Sequence, residues 1–292
     1  MLSKIWFVLL STAVAPMLWG TTYYTSTTFL IGDHPLLTAS LRALPAGLIL
    51  ICIGRRLPRG AWWWKSAVLG VLNIGVFFAF LFVAADRLPG GVAAVVGGIQ
   101  PLLIAVLGSR VLSERLGGRV IAAGAGALVG VALIVLRSHA GLDSIGIAAA
   151  VFGAVSMAIG VVLTKKCSDG QPPIVTTSWQ LIADGVFLAA LTIILEPLPV
   201  KAPSLSNIAG YAYLTLVGTA LAYLLWFRGI TLLPALIPAF LGLLSPIVAL
   251  AIGGIAARET LSWVQGAGVA LVFLSVATVI ASSPQISPRP RR

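Results

Sequence analysis

Hydrophobic and polar positions in this chain do not alternate; the hydrophobic ones come in long blocks. Ten apolar runs, at residues 6–31, 35–54, 63–85, 88–110, 119–136, 144–165, 173–195, 208–228, 233–256 and 262–281, are separated by short polar breaks. A helix needs about 20 apolar residues to cross a bilayer, and each block predicts one such helix. Breakers stand where they should, with Pro58, Pro89, Pro172-Pro173, Pro197, Pro199 and Pro203 in the connections. The first run begins like a secretory leader, with Lys4, an apolar stretch and Ala13-Val14-Ala15. Pro16 just past such a cut, and apolar pattern continuing to Ile31, predict instead a retained spanning helix. From Ser282 the tail is polar, basic and Pro-rich, and disorder is expected.

The blocks repeat. At a constant offset of 145, residues 88–116 map onto 233–261, pairing Pro89 with Pro234, Gly97 with Gly242, Pro101 with Pro246 and Glu114 with Glu259. The same register pairs Phe78 with Tyr223 and Phe82 with Phe227. At an offset of 138, Pro35, Thr38, Ser40 and Gly47 map onto Pro173, Thr176, Ser178 and Gly185. The expected architecture is therefore all-α and integral to the membrane. Two five-helix repeats, residues 5–137 and 143–281, surround a central cavity, with a basic tail at 282–292. Five spans per copy is an odd number, so the second copy enters inverted. Inverted repeats mark secondary transporters, whose substrate sits at the repeat interface near the midplane. Gly97, Pro101, Gly242 and Pro246 interrupt matching helices and are the expected hinges.

Composition agrees: 59% of the 292 residues are hydrophobic and 9% are charged, which leaves no polar stretch for a soluble domain. A net charge of +11 points to nucleic acid only in a soluble chain; here the cations sit in short loops. With the N-terminus in the cytoplasm, 14 of the 19 Lys and Arg residues fall on the cytoplasmic side and 4 outside, leaving Arg42 within the membrane. This bias predicts that both termini are cytoplasmic. Cys52 and Cys167 imply no disulfide. No zinc spacing, phosphate loop, HExxH or nucleophile–base pair is present, so neither enzyme nor cofactor is expected. A channel would need polar or charged rings that the helices lack.

Candidate site residues follow from depth and face. Trp19 and Tyr23 share a face of helix 1; Asn73, Phe77 and Phe80 share one of helix 3, next to Phe78; Tyr223 and Phe227 share one of helix 8, next to Trp226. Gln100, Ser245 and Met157 stand at similar depth. Aromatic walls with few polar groups suit a flat apolar ligand with a polar head, although packing between helices explains any single aromatic equally well. Trp6, Trp62 to Trp64 and Trp263 start helices and read as interfacial anchors. Gly146, Gly153 and Gly160, like Gly126 and Gly130, read as close helix contacts. Two ionisable groups lie deep, Arg42 and Asp184, at depths within a few ångströms of each other by helix rise. Either a structural ion pair or a proton-linked Asp184 accounts for them.

Leu18-Trp19-Gly20, Leu41-Arg42, Gln100-Pro101 with Glu114, and Ser245-Pro246 with Glu259 resemble the EamA-type members of the drug/metabolite transporter superfamily. The likeness runs over about residues 5–281, and within the superfamily the chain is most similar to YddG-type exporters of aromatic amino acids. The resemblance implies a bacterial inner-membrane transporter that exports aromatic and other neutral amino acids by alternating access. A broad-range drug or metabolite exporter is the alternative. Its partners would be the small-molecule substrate and the bilayer, without nucleic acid, and a monomer would suffice.

Overall fold

A computed structural model describes residues 2–31, 34–88, 96–114, 116–135, 143–197, 199, 202–257 and 262–283, apart from the side chains of residues 2, 23, 82, 85, 86, 256 and 257. Pro89, Glu259, the Tyr23 and Phe82 side chains and the tail beyond residue 283 lie outside these described residues.

All regular structure among them is helical. The first half runs α1 (Leu2–Gly20), α2 (Thr22–Phe29), α3 (Pro35–Gly54), α4 (Trp62–Gly70), α5 (Val76–Arg87), α6 (Gln100–Val111) and α7 (Gly118–Val135). The second half is α8 (Ser144–Lys166), α9 (Pro173–Leu195), α10 (Leu205–Thr215), α11 (Ala222–Leu232), α12 (Leu236–Leu241), α13 (Leu244–Ala257) and α14 (Trp263–Ser282). Among the described residues nine helical segments are long and apolar enough to span a membrane, and α6 is a shorter apolar helix. Many large apolar side chains are strongly exposed, among them Trp263 at 96%, Leu205 at 83% and Ile255 at 81%. That surface is the inverse of a water-soluble one and suits contact with lipid chains.

Local chemistry explains the ends. Pro35 and Pro173, paired in the repeat, each open a helix at its first turn, where a missing N–H costs nothing. Glu196 accepts the Leu36 and Leu37 N–H groups at 2.6 and 2.9 Å, covering donors that α3 leaves unpaired. Glu114 does the same for α12 through the Ala235 N–H at 2.8 Å. Lys165 Nζ donates to the Ile230 and Leu233 carbonyls at the end of α11.

The halves meet through reciprocal contacts. A Cβ on Gly47 would stand 2.7 Å from Ile182, and one on Gly185 would stand 2.6 Å from Leu44. At the offset of 138, Gly47 corresponds to Gly185 and Leu44 to Ile182. In α7 and α14, where the offset is 145, Gly126 faces its own counterpart Leu271, which a Cβ would meet at 3.6 Å. Contacts in which i meets j′ and j meets i′ are those of a two-fold axis, here passing through α3/α9 and α7/α14. Off the axis, α1 packs on α11 and α13, while its counterpart α8 packs on α5 and α6.

Two departures from uniform helices matter for the site. Residues 6–31 do not form one straight rod, because a turn at Thr21 separates α1 from α2. The third and eighth spans each contain a π-helical turn, at Val71–Gly75 and Leu216–Leu221. At the offset of 145 the two turns begin at equivalent residues. A π-turn widens the helix, offsets its carbonyls from their usual donors and is a common mark of a functional position.

Candidate substrate-binding site

The π-turn in the eighth span leaves the Gly218 carbonyl to be used by side chains, and two take it. Trp19 Nε1 donates to it at 3.2 Å and an Arg42 terminal nitrogen, Nη2, at 2.8 Å. Arg42 Nε donates to Thr219 Oγ1 at 2.8 Å, and its guanidinium lies 5.9 Å from the Phe78 ring centre. Around this knot stands an aromatic group. Trp19 is 5.0 Å from Tyr223 and 5.1 Å from Trp226, Tyr223 is 5.7 Å from Phe227, and Phe77 is 5.6 Å from Phe78. These edge-on and tilted spacings are those that aromatic rings favour. Met157, which the offset of 138 makes the counterpart of Trp19, belongs to the same apolar cluster.

Trp19, Phe77, Phe78, Met157 and Tyr223 are thus brought together where α1, α5, α8 and α11 meet. Gln100, the first residue of α6, and Ser245, the second of α13, are half-buried at the symmetric helix starts, and neither side chain has a protein partner among the described residues. Ser245 is held against α1, since a Cβ on Gly20 would stand 2.7 Å from its carbonyl. Tyr23 is on α2, with its side chain outside the described residues.

Asn73 is placed differently from expectation. It is 2% exposed, and its amide nitrogen contacts the Leu69 carbonyl, Thr164 Oγ1 and Gln180 Oε1 at 2.9, 2.9 and 3.0 Å. Those acceptors consume the donor that was to face substrate. Asn73 braces the first π-turn, much as Arg42 braces the second.

Arg42 and Asp184 do not pair. Arg42 is committed to Thr219 and Gly218, and the one ion pair among the described residues joins Arg87 to Asp143 at 3.9 Å. Asp184 is fully buried and neither carboxylate oxygen has a hydrogen-bond partner. Similar depth leaves the two charges acting on each other without direct contact, while the π-turn gives Arg42 a carbonyl and a hydroxyl to bond.

The helices are interrupted beside the expected hinges, although of those four residues only Gly242 lies in a break and Gly97 is helical, and the cause is not a lost proline hydrogen bond. Helix stops at Gly98 and Ile99 in one copy and at Gly242 and Leu243 in the other. Pro101 and Pro246 follow in the first turn of α6 and α13, where the amide has no intrahelical acceptor to lose. Around each break the bonds tighten to i−3, as in Ile99 N–H to Val96 O at 3.2 Å and Ser245 N–H to Gly242 O at 3.1 Å. The glycines break the helix and the prolines restart it.

The sequence reading overlooked Thr219, Gln180 and both π-turns. One signal was available: the 138 register places Arg42 opposite Gln180, two polar side chains at one depth in paired helices. Trp62, read as an interfacial anchor, is instead buried, tilted against Trp179 at 5.3 Å and bonded through Nε1 to Asp169 at 2.8 Å. Trp63 and Trp64 remain exposed.

Comparison with known proteins agrees with this architecture. A solved crystal structure superposes with a TM-score of 0.83 over 96% of this chain and 98% of its own, at 20% identity, a likeness of fold. Protein PecM of Dickeya dadantii is 44% identical over 91% of this chain and 89% of its own length. An uncharacterized transporter of Synechocystis, sll0355, is 28% identical over 91% and 87%, and the WAT1-related chloroplast protein At3g02690 of Arabidopsis thaliana is 30% identical over 93% and 68%. The profile of the EamA-like transporter family matches twice, at residues 5–136 and 144–281. With one match in each half, this chain belongs to the EamA-like transporter family.

Proposed function

We propose that the protein exports aromatic and other neutral amino acids across the bacterial inner membrane by alternating access, as the likeness to YddG-type exporters suggested. The observation that carries this is the aromatic group around Trp19 and Tyr223, built from both repeats and flanked by half-buried Gln100 and Ser245. Flat apolar surface with a few uncharged hydrogen-bonding groups suits an aromatic side chain attached to a polar head. The symmetric breaks at Gly98–Ile99 and Gly242–Leu243 supply the joints about which the fourth and ninth spans tilt.

Ring–ring contact adds about 0.5–1.5 kcal/mol beyond area burial, a preference of roughly two- to twelve-fold. Aromatic amino acids are therefore expected to lead a wider tolerated set. The test is uptake of labelled phenylalanine and tryptophan into proteoliposomes, with competition by a panel of amino acids and cationic dyes. Inhibition by aromatic amino acids is expected. Strong inhibition by the dyes with none by those amino acids would overturn the reading in favour of a broad-range drug exporter.

A further inference from the structure

Arg42 is a cation deep in a spanning helix with no carboxylate within ion-pair distance among the described residues, Asp184 acting on it only from farther away, a costly arrangement in a low-dielectric interior. Bracing the second π-turn does not by itself call for a charge. Gln180 stands at the equivalent position of the other half, beside the other π-turn, and is neutral, with both its oxygen and its nitrogen bonded. Its carbonyl oxygen accepts from Asn73 and its amide donates to the Thr176 carbonyl at 3.3 Å. The same seat is thus filled adequately by an amide in one half. In the other it holds a guanidinium whose Nη1 has no protein partner among the described residues.

That spare end belongs to a residue already inside the aromatic group. Phe78 lies 5.9 Å from its guanidinium carbon, Trp19 shares its carbonyl acceptor, and Tyr223 packs at a tilt against Trp19. A guanidinium with unused N–H groups beside aromatic faces matches a carboxylate joined to an apolar ring: the fork takes the anion and the rings take the body. We propose that Arg42 is a substrate-binding residue that accepts the carboxylate of the transported molecule, and that the carboxylate, more than the amino group, is the feature recognised. The ligand class is the aromatic or apolar monocarboxylate, amino acids included. This deepens the exporter reading above and rests on the same site.

Two measurements separate the possibilities. In wild-type proteoliposomes carrying labelled phenylalanine, 3-phenylpropionate keeps the carboxylate and lacks the amine, whereas phenethylamine keeps the amine and lacks the carboxylate. The acid is expected to compete and the amine to fail. Arg42→Gln is expected to raise KM about ten-fold or more, the size of a lost charge-assisted hydrogen bond, with kcat changed less. Arg42→Lys should fall between, since a point charge replaces a fork. Equal competition by the amine and the acid, or an unchanged KM in a folded Arg42→Gln protein, would overturn the proposal. If Arg42→Gln does not fold, the wild-type competition decides alone.

Equilibrium dialysis of labelled 3-phenylpropionate against the purified protein distinguishes this proposal from the exporter reading. Binding that Arg42→Gln abolishes, without transport of any amino acid, would retain the carboxylate site and reject amino acid export. Transport of phenylalanine without binding of the acid would do the reverse.

Discussion

Asp184 is completely buried in α9, yet neither of its carboxylate oxygens has a hydrogen-bond partner. Arg42 acts on it only from beyond ion-pair distance, so an amide of the same shape removes no hydrogen bond. Asp184→Asn is expected to leave the thermal midpoint in detergent unchanged or to raise it. A fall of more than a few degrees, where about 1 kcal/mol corresponds to roughly 2–4 °C in a chain this size, would show that the carboxylate is held after all. At this scale the sequence disclosed which residues are odd but not what they touch. Arg42 and Asp184 stand out as charges in apolar runs, and helix rise gives their depth. Their azimuth around the helix is another matter, and a single π-turn at Leu216–Leu221 redirects Arg42 to Gly218 and Thr219. Asn73 is redirected for a related reason: its amide nitrogen is taken up by neighbouring acceptors, while its oxygen has no hydrogen-bond partner among the described residues.

Helix positions and breaks were far easier to read. Apolar blocks define spans because lipid leaves the backbone no other donors or acceptors, and the matched Gly–Pro clusters disclosed both interruptions. The π-turns left no such mark, since sequences such as Val71–Gly75 are compatible with ordinary helix. The breaks carry a prediction about motion. Replacing both Pro101 and Pro246 with Ala removes the residues that fix a new helix start, so each span is expected to run on more continuously. Turnover in proteoliposomes should slow while the amount of folded protein is kept; unchanged transport would leave the prolines without a role in the cycle. Packing between spans is tested at Gly185, where any Cβ would press on the Leu44 backbone at 2.6 Å. Gly185→Ala must part α3 from α9, and overpacking of this kind costs about 1–3 kcal/mol. Thermal unfolding of the purified protein should show a loss of several degrees, whereas the same change at Gly266, with open space around it, should show none.

For the molecule as a whole, contacts sort the connections into two ends. Lys165, Glu114 and the residues around Leu233 gather at one, and Arg87, Asp143, Glu196 and the start of α3 gather at the other. The cations concentrate at the first end, so both termini are expected in the cytoplasm; reporter fusions at Met1 and Arg292 check this, and an external location for either would refute it. The repeat was legible because duplication leaves a fixed offset in the residue numbers, and the odd span count then fixes the inversion. What the offset did not reveal is where the axis runs. The contacts at Gly47/Gly185 and Gly126/Leu271 mark it, and each maps onto itself when the two halves trade places. Two seams of the bundle therefore serve as a fulcrum: if opening to one side is opening to the other with the halves exchanged, their geometry is common to both. With Cys52 and Cys167 first changed to Ser, cysteines at Leu44 and Ile182 joined by a short cross-linker should leave export intact. A bridge there would lock a hinge pin without stopping the door.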